Sequence, residues 1–172
     1  VDAIAAGIAD ILNETAIRVN EEELNAAYGV VQEAIQAQEQ EKNKKMVELS
    51  QTFLTENTKR DGVTVLESGL QYEILEAGEG EKPNQDATVK THYHGTFIDG
   101  QVFDSSVQRG EPATFGVTQV IAGWTEALQL MPVGSKWRLF IPANLAYGDA
   151  GSPPAIPGGA ALVFEIHLIE TV

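Results

Sequence analysis

The sequence predicts an α+β protein: a curved antiparallel β-sheet wrapped around one short helix, preceded by a long helical arm. Three observations carry this. The composition changes near residue 61, from Ala, Gln, Glu, Lys and Asn before it to most of the glycines, all seven prolines and both tryptophans after it. Apolar residues recur at helical spacing before the change and alternate after it, as they do in strands. One short helical pattern, over residues 125–131, interrupts the strand-like half and needs a sheet against which to bury its apolar side.

Ile4, Ile8, Ile11 and Leu12 mark a first helix over residues 3–12, closed at Asn13. The chain begins at Val1, without a methionine and inside that pattern, so its N-terminal segment is expected to be incomplete. A second helix starts at Asn20, a capping residue, and Glu23 three positions on completes a capping box. Glu21, Glu22 and Glu23 put negative charge at the positive end of that helix. No proline follows until Pro83, and the helical pattern runs to about Lys59. Leu24, Tyr28, Val31 and Ile35 form one apolar stripe; Met46, Leu49, Phe53 and Leu54 form another. Residues 36–45, between them, are polar almost all round, as in a solvated helix that bridges two packed ends. The first stripe is too small for a core of its own and is expected to pack on a missing segment or a second chain. The domain expectation is residues 1–35 as a helical segment of dimerisation type, 36–60 as the remainder of the connecting helix, and 61–172 as the sheet domain.

From Gly62 the pattern is β. A strand over 70–77 carries Tyr72, Ile74 and Leu75, and turns follow at 77–80 and 83–86. Residues 89–97 alternate, and Asp99-Gly100 signals a hairpin. The short helix at 125–131 closes on Pro132-Val133-Gly134. Two further strands follow, 136–142 with Trp137, Leu139 and Ile141 on one face, and 162–169 with Phe164, Ile166 and Leu168 on one face. Between them, residues 147–159 form a Gly/Pro-rich loop too long for a simple connection, and such loops often carry function.

Composition narrows the function classes. With 43% apolar and 21% charged residues in 172, the chain is of globular type. A formal net charge of −14 disfavours nucleic acid and anionic lipid as partners, and there is no basic patch to argue otherwise. The absence of cysteine excludes disulfides, thiolate catalysis and Cys-based zinc sites. No apolar run approaches the ~20 residues of a membrane span. His92 and His94 stand two apart on a strand and share one side, a spacing that permits a metal. Nothing in the sequence supplies a third ligand, so a structural or surface pair is the reading adopted and no metal or cofactor is expected. Gly78-x-Gly80-x-Lys82 lacks phosphate-loop spacing, and no two carboxylates stand out as a glycosidase pair.

Four strings occur in order: HYHGTFIDGQVFDSS (92–106), VIAGWTEALQLMPVGSKW (120–137), LAYGDAG (145–151) and AALVFEIHLIE (160–170). Together they resemble the successive blocks of an FKBP domain, over about residues 63–172. The helical arm is similar to that of Mip-like members of this family in Gram-negative bacteria. The resemblance implies the FKBP fold and peptidyl-prolyl cis-trans isomerase activity. It implies a pocket with Trp124 as floor, lined by Tyr93, Phe103, Val120, Ile121, Tyr147, Ile156 and Phe164, with Asp104 at its edge and Phe115 nearby. The Ile121 N–H and the Tyr147 hydroxyl would hold the carbonyls of a bound peptide. Arg109 falls where some members pair an arginine with the aspartate. Tyr93, Asp104, Ile121, Trp124 and Tyr147 are the implied catalytic set. Three departures bear on substrate preference: Ala113 stands where many members carry an aromatic wall residue, the stretch 115–120 is about two residues short of small eukaryotic members, and Ser152 replaces a commonly aromatic or histidine position.

The implied partners are proline-containing peptides and unfolded proteins, macrolide inhibitors of the rapamycin type, and a second copy held through the N-terminal helices. The implied compartment is the bacterial cytoplasm, with the periplasm as alternative. A client-binding chaperone with incidental isomerase activity is the second functional reading, since the polar connector separates two apolar ends and Ala113 opens the pocket wall.

Such a pocket can lower a rotational barrier without acid, base or nucleophile. Amide resonance sets that barrier at about 18–20 kcal/mol. Twisting the C–N bond removes the resonance and much of the dipole. An apolar pocket solvates the planar form worse than water does, so the twisted form gains relative to it. Preorganised donors to the twisted carbonyl add to this.

Overall fold

Helix α1 (Glu21–Asn57) opens the computed structural model, which describes residues 21–172. The helix expected over 3–12 and the cap expected at Asn20 lie outside the described residues. A boundary between Lys42 and Asn43 divides the chain into two compact units. In the first, the described residues are the opening turns of α1. Tyr28, Val30 and Ile35 are exposed on them, Val31 is half-buried, and residues 36–42 are exposed throughout.

The second unit joins the end of α1 to a seven-stranded sheet in which every pairing is antiparallel. Its strands are β1 (Val63–Val65), β2 (Gln71–Glu76), β3 (Thr88–Phe97), β4 (Val102–Ser105), β5 (Ala113–Gly116), β6 (Lys136–Ile141) and β7 (Leu162–Thr171). The order is β1-β2-β6-β7-β3-β4, with β5 also on β3. The ten-residue β3 pairs with β7 along one edge and divides its other edge between β5, at residues 88–91, and β4, at 94–96. One long strand therefore gathers three others around it.

Alternation decides which side chains turn inward. Val89, Thr91, Tyr93 and Gly95 of β3 and Leu162, Phe164, Ile166 and Leu168 of β7 are buried, while their neighbours are only partly so. Helix α3 (Ala122–Leu130) covers this face with Ala127 and Leu128, both fully buried. Leu128, Met131, Leu139, Ile141 and Ile166 are fully out of solvent, and burial of each contributes roughly 1.5–3 kcal/mol. The helix starts at Ala122, three residues before the start at Thr125 that the sequence pattern indicates. Gly123 is the reason. It resembles a loop glycine, yet a Cβ there would stand 2.6 Å from Ile141 Cγ2. Glycine costs about 1 kcal/mol of helix propensity and in return lets α3 close onto β6.

The other face of the sheet is covered too. Phe140 faces away from α3 but is 2% exposed, because Phe53 of α1 packs on it at a ring distance of 6.0 Å. Polar anchors fix the helix there. Ser50 Oγ accepts from the Ala161 N–H at 2.8 Å, Asn57 Nδ2 donates to Gln71 Oε1 at 2.8 Å, and Gln71 Nε2 donates to the Leu54 carbonyl at 3.0 Å. Asn57, held by Gln71 and by Arg60 Nη1 at 2.9 Å, ends α1 two residues short of the expected Lys59.

Candidate active site

Tyr93 is delivered to the inner face by the alternation of β3. Gly95, two residues on, pairs with Phe164 on one side and Asp104 on the other. A Cβ at Gly95 would stand 2.7 Å from Phe164 Cε1 and 2.8 Å from Phe103 Cζ. The missing side chain is what lets these two rings meet edge to face, 5.4 Å apart at 87°. Trp124, on the first turn of α3, meets Phe164 at 5.2 Å and 86°, Tyr93 at 5.4 Å and 79°, and Phe115 at 5.8 Å and 88°. Near-perpendicular pairs of this kind are favoured by the ring quadrupoles. They build a cup of about 410 Å³ lined by Tyr93, Phe103, Asp104, Phe115, Gln119, Val120, Ile121, Trp124, Tyr147 and Phe164.

Of the ten residues that the resemblance implies, nine line this cup. Ile156 does not: it is 5% exposed and belongs to the core, held by a two-hydrogen-bond bridge to Ser152. Ala113 is half-buried on β5, opposite Thr91 and outside the lining. Gln119 is a lining residue that nothing in the sequence singles out. It enters through a tight turn in which its N–H bonds the Gly116 carbonyl at 2.9 Å, and a glutamine in a loop carries no pattern of its own.

One edge of the cup is polar. Ser105 ends β4 and caps a single helical turn, α2 (Ser106–Arg109), by accepting from the Gln108 N–H at 3.2 Å; Gly110, in the left-handed region, closes it. This turn carries Arg109 back over Tyr93, its guanidinium carbon 5.5 Å from the ring centre. Tyr93 donates its hydroxyl hydrogen to Asp104 Oδ2 at 2.6 Å and accepts from Arg109 Nη2 at 2.7 Å, while Arg109 Nη1 pairs with Asp104 Oδ1. Burial pushes the Asp104 carboxyl up, but the hydrogen bonds from Tyr93 and Arg109 and the arginine's charge outweigh it and hold the group below its ordinary range. Burial, then the bond to Asp104, push the Tyr93 phenol up. The carboxylate is ionised and fully engaged, and the phenol is neutral. Neither is poised to move a proton at neutral pH.

Ser106 supports this edge from behind. Its buried Oγ accepts from the Tyr93 N–H at 2.8 Å and lies 3.1 Å from His92 Nδ1; Ser105 Oγ lies 2.9 Å from His94 Nδ1. The two histidines thus serve the serines on the outer face of β3. Among the described residues, no three His, Cys, Asp or Glu side chains group as a metal site.

An aromatic cup with one engaged carboxylate and, among its lining residues, no nucleophile–base pair suits an apolar ligand rather than covalent chemistry. Comparison with known proteins gives the same class. Residues 79–169 match the family described as FKBP-type peptidyl-prolyl cis-trans isomerase, and residues 1–74 match the domain amino terminal to it. The chain is 46% identical over 169 residues to the FKBP-type 22 kDa peptidyl-prolyl cis-trans isomerase of Escherichia coli, spanning 98% of this chain and 82% of that protein. It is 45% identical over 173 residues to the outer membrane protein MIP of Legionella longbeachae, spanning 98% and 74%. The crystal structure of FkpA from Escherichia coli superposes with a TM-score of 0.85 at 36% identity, covering 99% of this chain and 81% of that one. The chain belongs to the FKBP-type peptidyl-prolyl cis-trans isomerases, and its substrates are proline-containing peptides. These relatives are bacterial, and one is named for the outer membrane, so the cytoplasmic expectation finds no support in them. No helix among the described residues is long and apolar enough to cross a membrane.

Proposed function

We propose that the aromatic cup is where this isomerase rotates the X-Pro bond, with the proline ring seated on Trp124 between Tyr93 and Phe164. The observation that carries the reading is the closed set of edge-to-face rings around Trp124 beside a salt-bridged, non-titrating Tyr93–Asp104–Arg109 edge. The rings supply the apolar surroundings that favour the twisted, less polar amide. The Ile121 N–H, ahead of the first turn of α3, and the Tyr147 hydroxyl, on a side chain 40% exposed at the rim, hold the carbonyls that flank the proline. Phe103, Phe115 and Val120 shape the walls, and Ile156 acts only from behind them by bracing the 147–159 loop.

The test is cis-to-trans isomerisation of a Leu-Pro or Phe-Pro tetrapeptide, with and without rapamycin. Catalysis that the macrolide blocks, and that falls in Tyr147→Phe with the fold intact, is expected. A folded protein with no activity on any X-Pro peptide would overturn the assignment. The exposed Tyr28, Val30 and Ile35 favour a second role for the arm, in self-association through the N-terminal helices and in holding clients. A monomer mass at micromolar concentration would reject the first. Equal refolding of a slow-folding protein with and without residues 1–60 would reject the second. An envelope compartment is compatible with the name of the one relative called an outer membrane protein, and cell fractionation decides it.

A further inference from the structure

A second concavity, of about 520 Å³, lies where three elements of the sheet unit meet. Met46 and Leu49 of α1 form one wall, Phe97 and Ile98 of the β3–β4 hairpin another, and Ala155 and Pro157 of the long loop the third. Leu49 is 57% exposed, so a large apolar side chain stands open to solvent beside other apolar surface. The groove is preformed, because the Ser50–Ala161 hydrogen bond and the Phe53–Phe140 contact hold α1 against the sheet. A sheet domain without the end of α1 would lack one wall of it.

We propose that this groove holds an extended apolar segment, bearing a lysine or arginine, of the same polypeptide whose X-Pro bond occupies the aromatic cup. The proposal rests on the isomerase reading of that cup. Two observations choose this occupant. The groove adjoins the cup through a shared wall: Phe97, which lines the groove, packs on Phe103, which lines the cup, at 5.1 Å. The long loop likewise places Tyr147 on the cup and Ala155 and Pro157 on the groove, with Ile156 buried between those two. The groove's rim also carries a single charge, the exposed Asp99 carboxylate, which accepts from the Gln101 N–H at 2.9 Å and pairs with no cation among the described residues. No lysine or arginine lines the groove. The surface next to the cup is thus apolar with Asp99 as its one charged lining residue, which suits an apolar segment carrying a cation.

The experiment compares wild type with Leu49→Gln and Asp99→Asn, the latter keeping an acceptor for Gln101. Two quantities are read: turnover of an X-Pro tetrapeptide, and affinity for a longer fluorescent peptide that adds an apolar, lysine-bearing segment. Leu49→Gln is expected to leave tetrapeptide turnover unchanged and to weaken the long peptide about tenfold, as loss of one leucine-sized contact would. Asp99→Asn is expected to weaken the lysine-bearing peptide but not its Lys→Gln version. Unchanged long-peptide affinity in Leu49→Gln overturns the proposal. So does a fall in the mass of the assembly in that variant, which would assign the groove to a second copy. Absent tetrapeptide turnover in wild type would overturn the isomerase reading instead, leaving the affinity difference to decide the groove.

Discussion

Gly95→Ala would strike the site with a single methyl group. The added carbon would lie 2.7 Å from Phe164 Cε1, and 2.8 and 3.0 Å from Phe103 Cζ and Cε2. Comfortable carbon–carbon contact is about 3.5–4.0 Å, so the rings must withdraw by roughly 0.7–1.3 Å. Phe164 has little room, with Trp124 at 5.2 Å and Tyr93 at 6.4 Å beyond it. Phe103, half-buried, would take most of the movement against Phe97. Overpacking of this kind costs about 1–3 kcal/mol. Replacing a strand glycine by alanine returns about 0.5–1 kcal/mol of backbone entropy. Packing wins, and the net loss is about 0.5–2 kcal/mol. At about 2–4 °C per kcal/mol for a chain of this size, thermal unfolding should fall by about 1–8 °C. Because the displaced rings are walls of the cup, kcat/KM on an X-Pro tetrapeptide should fall about tenfold, the effect of about 1.4 kcal/mol on the barrier. Calorimetry and a peptide isomerisation assay read the two. A variant with unchanged or raised Tm and full activity would show that the rings yield freely, and the close approach at Gly95 would then explain nothing.

Trp124→Ala should lower stability by about 3–5 kcal/mol, since the indole is 4% exposed and meets three rings; denaturant unfolding checks this, and activity should vanish even where the fold survives. The Asp104 carboxyl is held below its ordinary value of 3.8, so its stabilising contribution is complete above that pH and is lost as pH falls through the lower folded value; Asp104→Asn should remove this part of the acid dependence of unfolding. The Tyr93 phenol is raised above 10.0, so its contribution is complete below pH 10.0 and fades only as pH rises through the higher folded value; activity should be flat between these limits, and a bell centred near neutrality in a pH–rate profile would contradict the non-titrating edge. Ser50→Ala leaves the buried Ala161 N–H without its partner and should cost about 1–3 kcal/mol, measured by chemical denaturation, with the end of α1 losing protection in hydrogen exchange.

The classes of element and much of the site's membership are legible in the residues alone. Side-chain alternation has a period of two wherever a strand has one buried face, so the pattern itself marks Tyr93 and Phe164 as inward residues. The helical spacing of Met46 and Phe53 marks a packed end of α1 in the same way, although Leu49 of the same stripe stands 57% exposed, and the block order matches the cup's rings. What depends on distance between segments far apart in the chain is not legible there. Phe140 breaks the one-sided pattern of β6 because α1 returns to cover the outer face. Gly123 lies ahead of the helix start that the pattern indicates, and only its close approach to Ile141 shows why a glycine stands there. Gln119 joins the cup and Ile156 leaves it because a turn and a two-residue bridge aim them, and neither device has a periodicity. Periodicity records which way a side chain points within its own element; strand register and the packing of α1 and α3 set which elements it then meets.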